Sequence, residues 1–274
     1  MAYHRVGMGE ELVARIDSPL TPGRAAARRM YDTIGGSYAS RRRADPRIFA
    51  EIEAEIRSDA TLLNVGAGAG SYELTRHRVV AVDPSMVMLA QRTATAAPAV
   101  QAIAEALPFY DQSFDVTLAI LTMHHWSDLR RGLDECARVA RERVVIFTWN
   151  PEAKGFWLVQ NYFPEILEID RRIFPSLQTL GAVLGKIEVK SVPIPGDCID
   201  GFLGAFWRRP EAYLNSDVRG SISTFGRISN VNAQCESLKQ DLETGAWDSQ
   251  YGELRERAEL DVGYCIVTAD VSRS

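Results

Sequence analysis

The sequence predicts an α/β fold, doubly wound about a mostly parallel sheet, with helical cap insertions. Three observations carry this. Short, near-continuous apolar runs recur, as strands buried on both faces require. Helical stretches separate them, which is the order of a parallel sheet with crossovers. Two segments, residues 151–185 and 196–258, are too long to be plain connections and read as helical additions over the carboxyl edge of the sheet.

The elements follow in order. Residues 45–56 place Ile48, Ile52 and Ile56 on one helical face. Residues 61–65 (Thr-Leu-Leu-Asn-Val) form a strand that ends in glycines, with a helix expected after them. Residues 78–83 form a second strand, ending in Asp83. Residues 85–95 and 129–141 read as helices, and residues 114–121 and 142–148 as strands. Residues 186–192 and 260–268 read as two more strands.

Composition narrows the function classes. The chain has 274 residues, 46% hydrophobic and 24% charged, which argues against disorder and coiled coil. Its formal charge of −5 disfavours nonspecific nucleic-acid binding, which needs a basic footprint. Four scattered cysteines without a C-x-x-C pair argue against a zinc site or a disulfide scaffold, so no metal and a cytoplasmic location are expected. Charge interrupts every apolar stretch of the N-terminus, so no signal peptide is expected, and no run is long enough to span a membrane.

The strongest local signal is Gly66-Ala67-Gly68-Ala69-Gly70 directly after the first strand. Glycine permits a sharp turn and close approach of a ligand to the backbone. Asp83 ends the next strand, where an acid can accept two hydrogen bonds from a ribose diol. A dinucleotide fingerprint would need glycine at position 71, which is Ser71, and a phosphate-cradling P-loop would need a Lys-Ser/Thr pair. On the loop alone, a tight turn without ligand stays open, as does Asp83 serving as a helix cap.

Further motifs resolve this. Residues 104–115 (Ala-Glu-Ala-Leu-Pro-Phe-Tyr-Asp-Gln-Ser-Phe-Asp) resemble the A-E-x-L-P-F-x-D-x-S-F-D signature of class I S-adenosylmethionine-dependent methyltransferases of the ubiquinone/menaquinone-methyltransferase-like group. So do Val80-Ala81-Val82-Asp83-Pro84-Ser85-Met86, Met123-His124-His125-Trp126-Ser127-Asp128 and Arg138-Val139-Ala140-Arg141. The resemblance covers residues 31–150 and implies a Rossmann-like seven-stranded sheet with an antiparallel last strand. It implies that S-adenosylmethionine meets Gly66, Ala67, Gly68 and Gly70, with Asp83 on the ribose. It sets Pro84, Ser85 and Met86 beside the adenine, Ala104 and Glu105 at its edge, and Leu121 near the methionine chain. Tyr38 and Arg42 belong to a closing helix, Arg42 on the amino-acid carboxylate. Ile103 departs from the acid that many relatives carry at that position, which leaves one adenine contact either missing or replaced by a backbone group.

Methyl transfer from a sulfonium is chiefly a matter of alignment and exclusion of water. Where the nucleophile carries a proton, His124, His125 and Tyr31 are the candidate bases or polar groups. For the acceptor, Phe156, Trp157, Phe202, Phe206 and Trp207 suggest an apolar or aromatic natural product, with core packing the bland alternative. Methylation at carbon, oxygen or nitrogen stays open. Scarce base candidates favour C-methylation of an alkene or prenyl group coupled to cyclisation through cation–π contact. The rival readings are an S-adenosylmethionine-binding cyclase or regulatory module, and a methyltransferase for tRNA or another macromolecule. Residues 1–30 form an N-terminal arm, a candidate contact for a homo-oligomer, ahead of one methyltransferase domain over residues 31–274.

Overall fold

The computed structural model describes residues 42–272. The arm of residues 1–30, Tyr31 and Tyr38 lie outside the described residues. The first element is helix α1 (Pro46–Glu53), capped by Asp45, whose side chain accepts from Arg47 N. Ile48, Ile52 and Ile56 are all buried, so the apolar face read from the sequence is the packed one.

Seven strands make the sheet: β1 (Thr61–Val65), β2 (Arg78–Asp83), β3 (Ala99–Gln101), β4 (Phe114–Ile120), β5 (Ala140–Trp149), β6 (Glu188–Ser191) and β7 (Tyr264–Asp270). Their spatial order is β3-β2-β1-β4-β5-β7-β6. Strands β1 to β5 pair in parallel, and β7 inserts antiparallel between β5 and β6. This is the mostly parallel, doubly wound sheet that was expected. The central strands are buried on both faces because alternate residues feed opposite cores. Along β5, Val145 and Phe147 enter one core, while Val144 and Ile146 enter the other.

Between β1 and β2 the structure departs from the expectation of a helix. Residues 66–77 form turns instead. Gly66, Gly68 and Gly70 all have positive φ (74°, 54° and 92°), which breaks a right-handed helical path. Tyr72 and Leu74 then turn into the core, and Glu73 ties the loop down by pairing with Arg92 and accepting from Ala97 N at 2.7 Å. The helix read over residues 85–95 is the short α2 (Met86–Ala90). Strand β3 carried no sequence signal, since three residues with a half-exposed pattern show no periodicity. Helix α3 (Leu129–Val139) leads into β5.

After β5 come a π-helical turn (Leu158–Tyr162), α4 (Pro164–Ile173) and α5 (Leu177–Leu184). The later segment holds short turns, α6 (Ser216–Gly220), α7 (Val231–Thr244) and α8 (Ala246–Tyr251). Buried aromatics knit the two together. Trp157 Nε1 donates to Trp207 O at 2.9 Å, Trp207 Nε1 to Ile194 O at 2.7 Å, and Trp157 meets Trp247 edge-on at 5.3 Å. No described helix is long and apolar enough to cross a membrane. No cluster of metal-ligating side chains occurs among the described residues.

Candidate active site

The carboxyl ends of β1, β2 and β4 open on one cavity, where ligands collect in open α/β sheets. One wall is the glycine turn. Gly66 N and Ala67 N both donate to Val82 O, at 2.8 and 3.0 Å, which pins the turn against β2. A Cβ on Gly66 would collide with the Thr122 side chain, so only glycine fits there. Asp83 is 6% exposed; its Oδ2 accepts from Gly68 N at 2.8 Å and its Oδ1 from Ser85 N at 2.9 Å. Burial pushes its carboxyl pKa up, and the two backbone N–H groups pull it down. Each oxygen accepts one bond and has capacity for another, which suits a ligand diol. The helix cap is Ser85, whose Oγ accepts from Met88 N, not Asp83.

An apolar slot follows, formed by Met88, Ala102, Ile103 and Ala104. Glu105 lies at its edge, but its carboxylate is committed elsewhere. Oε1 accepts from Ser127 N, Ser127 Oγ and Asp128 N, holding the entry to α3. At the opposite end stands Arg42, whose Nε donates to Asp200 Oδ1 at 2.8 Å. Tyr72 OH donates to the other oxygen of Asp200 at 2.9 Å.

Leu121 closes β4 with φ of 47°, a left-handed conformation uncommon for a branched side chain. Leu121 and Arg42 both border a second cavity. Its walls are Trp149, Phe174, Phe202 and Tyr264, with Asp170, His124 and the segment 221–224. His124 stacks on Phe174 at 4.3 Å between ring centres and touches His125 at 3.8 Å. Burial, with the charges of Arg227 and Arg42 nearby, drives both imidazoles down: His125 to about 3, and His124 well below the ordinary range. Both rings are therefore neutral at pH 7 and weak proton acceptors. Asp170 behaves oppositely. It is 1% exposed, Thr224 Oγ1 donates to its Oδ1 at 2.9 Å, and burial raises its pKa to about 7.

The structure brings most of the expected cofactor residues to the first cavity: Arg42, Gly66, Ala67, Gly68, Asp83, Pro84, Ala104, Glu105, Leu121 and, of the histidines, His125. Gly70 and Ser85 stay off its wall, Ser85 because it is buried as a cap. Met86 faces solvent at 50% exposure, and Met88, one turn-step on, lines the cavity in its place. Of the expected acceptor rings only Phe202 reaches the second cavity. Phe156, Trp157 and Trp207 are core, and half-buried Phe206 lies under Arg209. Sequence reasoning missed Asp170, Thr224, Trp149 and Tyr264. For Asp170 a signal existed, since it falls on the apolar face of α4 with Ile166 and Ile173.

Comparison with known proteins agrees with this geometry. Residues 63–148 match the family model described as a methyltransferase domain. A protein from Anabaena variabilis ATCC 29413, described as a methyltransferase of an antibiotic biosynthesis pathway, is 32% identical. That match covers 83% of this chain and 98% of that one, with a TM-score of 0.75. The uncharacterized methyltransferase YcgJ of Bacillus subtilis (strain 168) is 31% identical over 140 residues, 44% of this chain. The matches span about half the length of the curated relatives (51% and 45%). Haemonchus contortus phosphoethanolamine N-methyltransferase 2, solved with phosphomonomethylethanolamine and S-adenosylhomocysteine, shares the fold at 15% identity. Its TM-score is 0.55 over 93% of this chain and 61% of that one. With a glycine turn, a strand-end acid and a relative matched over nearly its whole length, the chain belongs to the class I S-adenosylmethionine-dependent methyltransferase family.

Proposed function

We propose that the chain transfers a methyl group from S-adenosylmethionine to a small, aromatic or apolar acceptor of natural-product type. The observation that carries this reading is the pair of cavities meeting at Leu121 and Arg42, one shaped by glycines and Asp83, the other by aromatic rings. The first set fits the cofactor. Gly66 and Gly68 let the backbone approach it, Asp83 offers acceptor capacity to a ribose diol, and the Met88–Ala102–Ile103 slot suits a flat adenine. Arg42 supplies positive charge for an amino-acid carboxylate, balanced by Asp200. When bound, the cofactor supplies an electrophilic methyl group. The chain's own contribution is to hold the acceptor against it and keep water out. The Anabaena relative, described with an antibiotic pathway, supports the natural-product class.

The acceptor is a small molecule in this reading, bound without nucleic acid or membrane. Incubation with methyl-labelled cofactor and a panel of aromatic and apolar acceptors tests it. Release of S-adenosylhomocysteine dependent on an acceptor is expected. Cofactor that binds and survives unchanged with every acceptor would instead favour a binding module or cyclase.

A further inference from the structure

The second cavity contains one carboxyl group, the aromatic rings of Trp149, Phe174, Phe202 and Tyr264 on part of its wall, and the segment 221–224 on another part. Asp170 enters it from α4. One of its oxygens receives Thr224 Oγ1 at 2.9 Å, and the other has no partner among the described residues. Around it stand His124 from the turn after β4, Tyr264 from β7, Arg227 from the turn after α6, and Arg42 at the mouth. The two imidazoles are uncharged and Arg42 is paired with the Asp200 carboxylate, so the charge that acts on this carboxyl is the cation of Arg227.

Resting on the methyltransferase reading above, we propose that Asp170 accepts the proton of a phenol or enol hydroxyl held between Phe174, Phe202 and Tyr264, so that the acceptor is methylated on oxygen. In that step the acceptor O–H bond breaks and its proton bonds to the Asp170 carboxylate. The freed oxygen electron pair bonds to the methyl carbon, and the C–S pair remains on the cofactor sulfur. The charge pattern favours oxygen over an amine. Arg227 opposes a cationic ammonium and stabilises negative charge developing on oxygen. An alkene acceptor would pass through a carbocation, which the Arg227 charge likewise opposes. A proton acceptor that titrates near working pH is also the efficient kind, and burial puts Asp170 there whereas His125 falls to about 3.

The test uses 2-naphthol, a planar hydroxyl probe, titrated into the full chain saturated with S-adenosylhomocysteine. Calorimetry gives the affinity and absorbance gives the ionised fraction, between about pH 5 and 10.5. In the wild type, affinity peaks where carboxyl and naphthol share one proton and falls on either side. Asp170→Asn lowers the peak affinity at least about tenfold and flattens the profile, with S-adenosylhomocysteine affinity unchanged. Thr224→Val removes the bond that holds the pKa down, so the acid limb of the wild-type profile moves up in pH. That variant carries the test if Asp170→Asn does not fold. Equal affinity and profile in wild type and Asp170→Asn, an unmoved limb in Thr224→Val, or a wild type that binds S-adenosylhomocysteine but no naphthol would overturn the assignment. Failure to bind S-adenosylhomocysteine would sink the methyltransferase reading instead.

Discussion

Arg42 and Asp200 form an ion pair of 2.8 Å that joins the segment before α1 to the second insertion, at the mouth of both cavities. Asp200 is 1% exposed and also accepts from Tyr72 OH and Gly201 N. Removing a buried carboxylate strands its donors. Asp200→Ala is expected to destabilise the chain by about 3 kcal/mol and to weaken cofactor affinity. Thermal unfolding and calorimetry measure the two effects; an unchanged melting temperature would refute the account.

Asp83 gives the sharpest test of the cofactor site. Asp83→Ala is expected to weaken S-adenosylmethionine binding at least about tenfold, roughly 1.4 kcal/mol. Unchanged affinity by calorimetry would mean that the carboxylate serves only to bridge Gly68 and Ser85.

Gly66→Ala combines strain at φ 74° with collision against Thr122. A loss of about 1–3 kcal/mol in stability is expected, with weaker cofactor binding. The double variant with Thr122→Ala should recover part of the loss, because the steric portion disappears while the backbone strain stays. Full recovery would show that φ costs nothing.

Asp170 makes stability depend on pH. Its folded pKa is raised from 3.8 to about 7, so the folded chain holds a proton that the unfolded chain releases across that window. Stability therefore falls as pH rises from about 4 to about 7 and levels off above, by up to about 4 kcal/mol from this group. His125, depressed to about 3 in the fold, acts the other way between about 3 and 6.5, and His124, also depressed, acts in the same sense as His125. The comparison that isolates Asp170 is the melting temperature of Asp170→Asn minus that of the wild type. It should be more positive at pH 8 than at pH 5; a constant difference would contradict a raised pKa.

The two aromatic groups separate by experiment. Phe202→Ala, on the wall of the second cavity, should impair turnover more than cofactor affinity. Trp157→Ala removes a 1% exposed ring from the core and should cost about 3–5 kcal/mol in stability. Urea unfolding of both variants decides the ranking.

The cofactor half of the site was legible because it is local. A glycine turn, a strand-end acid and the 104–115 motif each place their residues through backbone geometry within a few positions, and Gly66, Asp83 and Ala104 all reach one cavity. Side-chain direction was less legible. Met86 and Met88 lie two residues apart on one short helix, and only their rotation about its axis sends Met86 to solvent. Glu105 reached the right place, yet its carboxylate serves Ser127 and Asp128. In the insertions, aromatic content showed that rings would be buried but not where.

Periodicity and turn chemistry in the sequence determined the parallel α/β sheet, the glycine turn and the acid that faces it, since these rest on neighbouring residues. Tertiary structure alone decided which rings line a cavity, and it turned the glycine loop away from a helix. It also set Asp170 and Thr224, 54 positions apart, in contact within a cavity bordered by Trp149 and Tyr264. Those outcomes depend on packing between distant segments, where burial rather than residue type sets the protonation of Asp170 and His125.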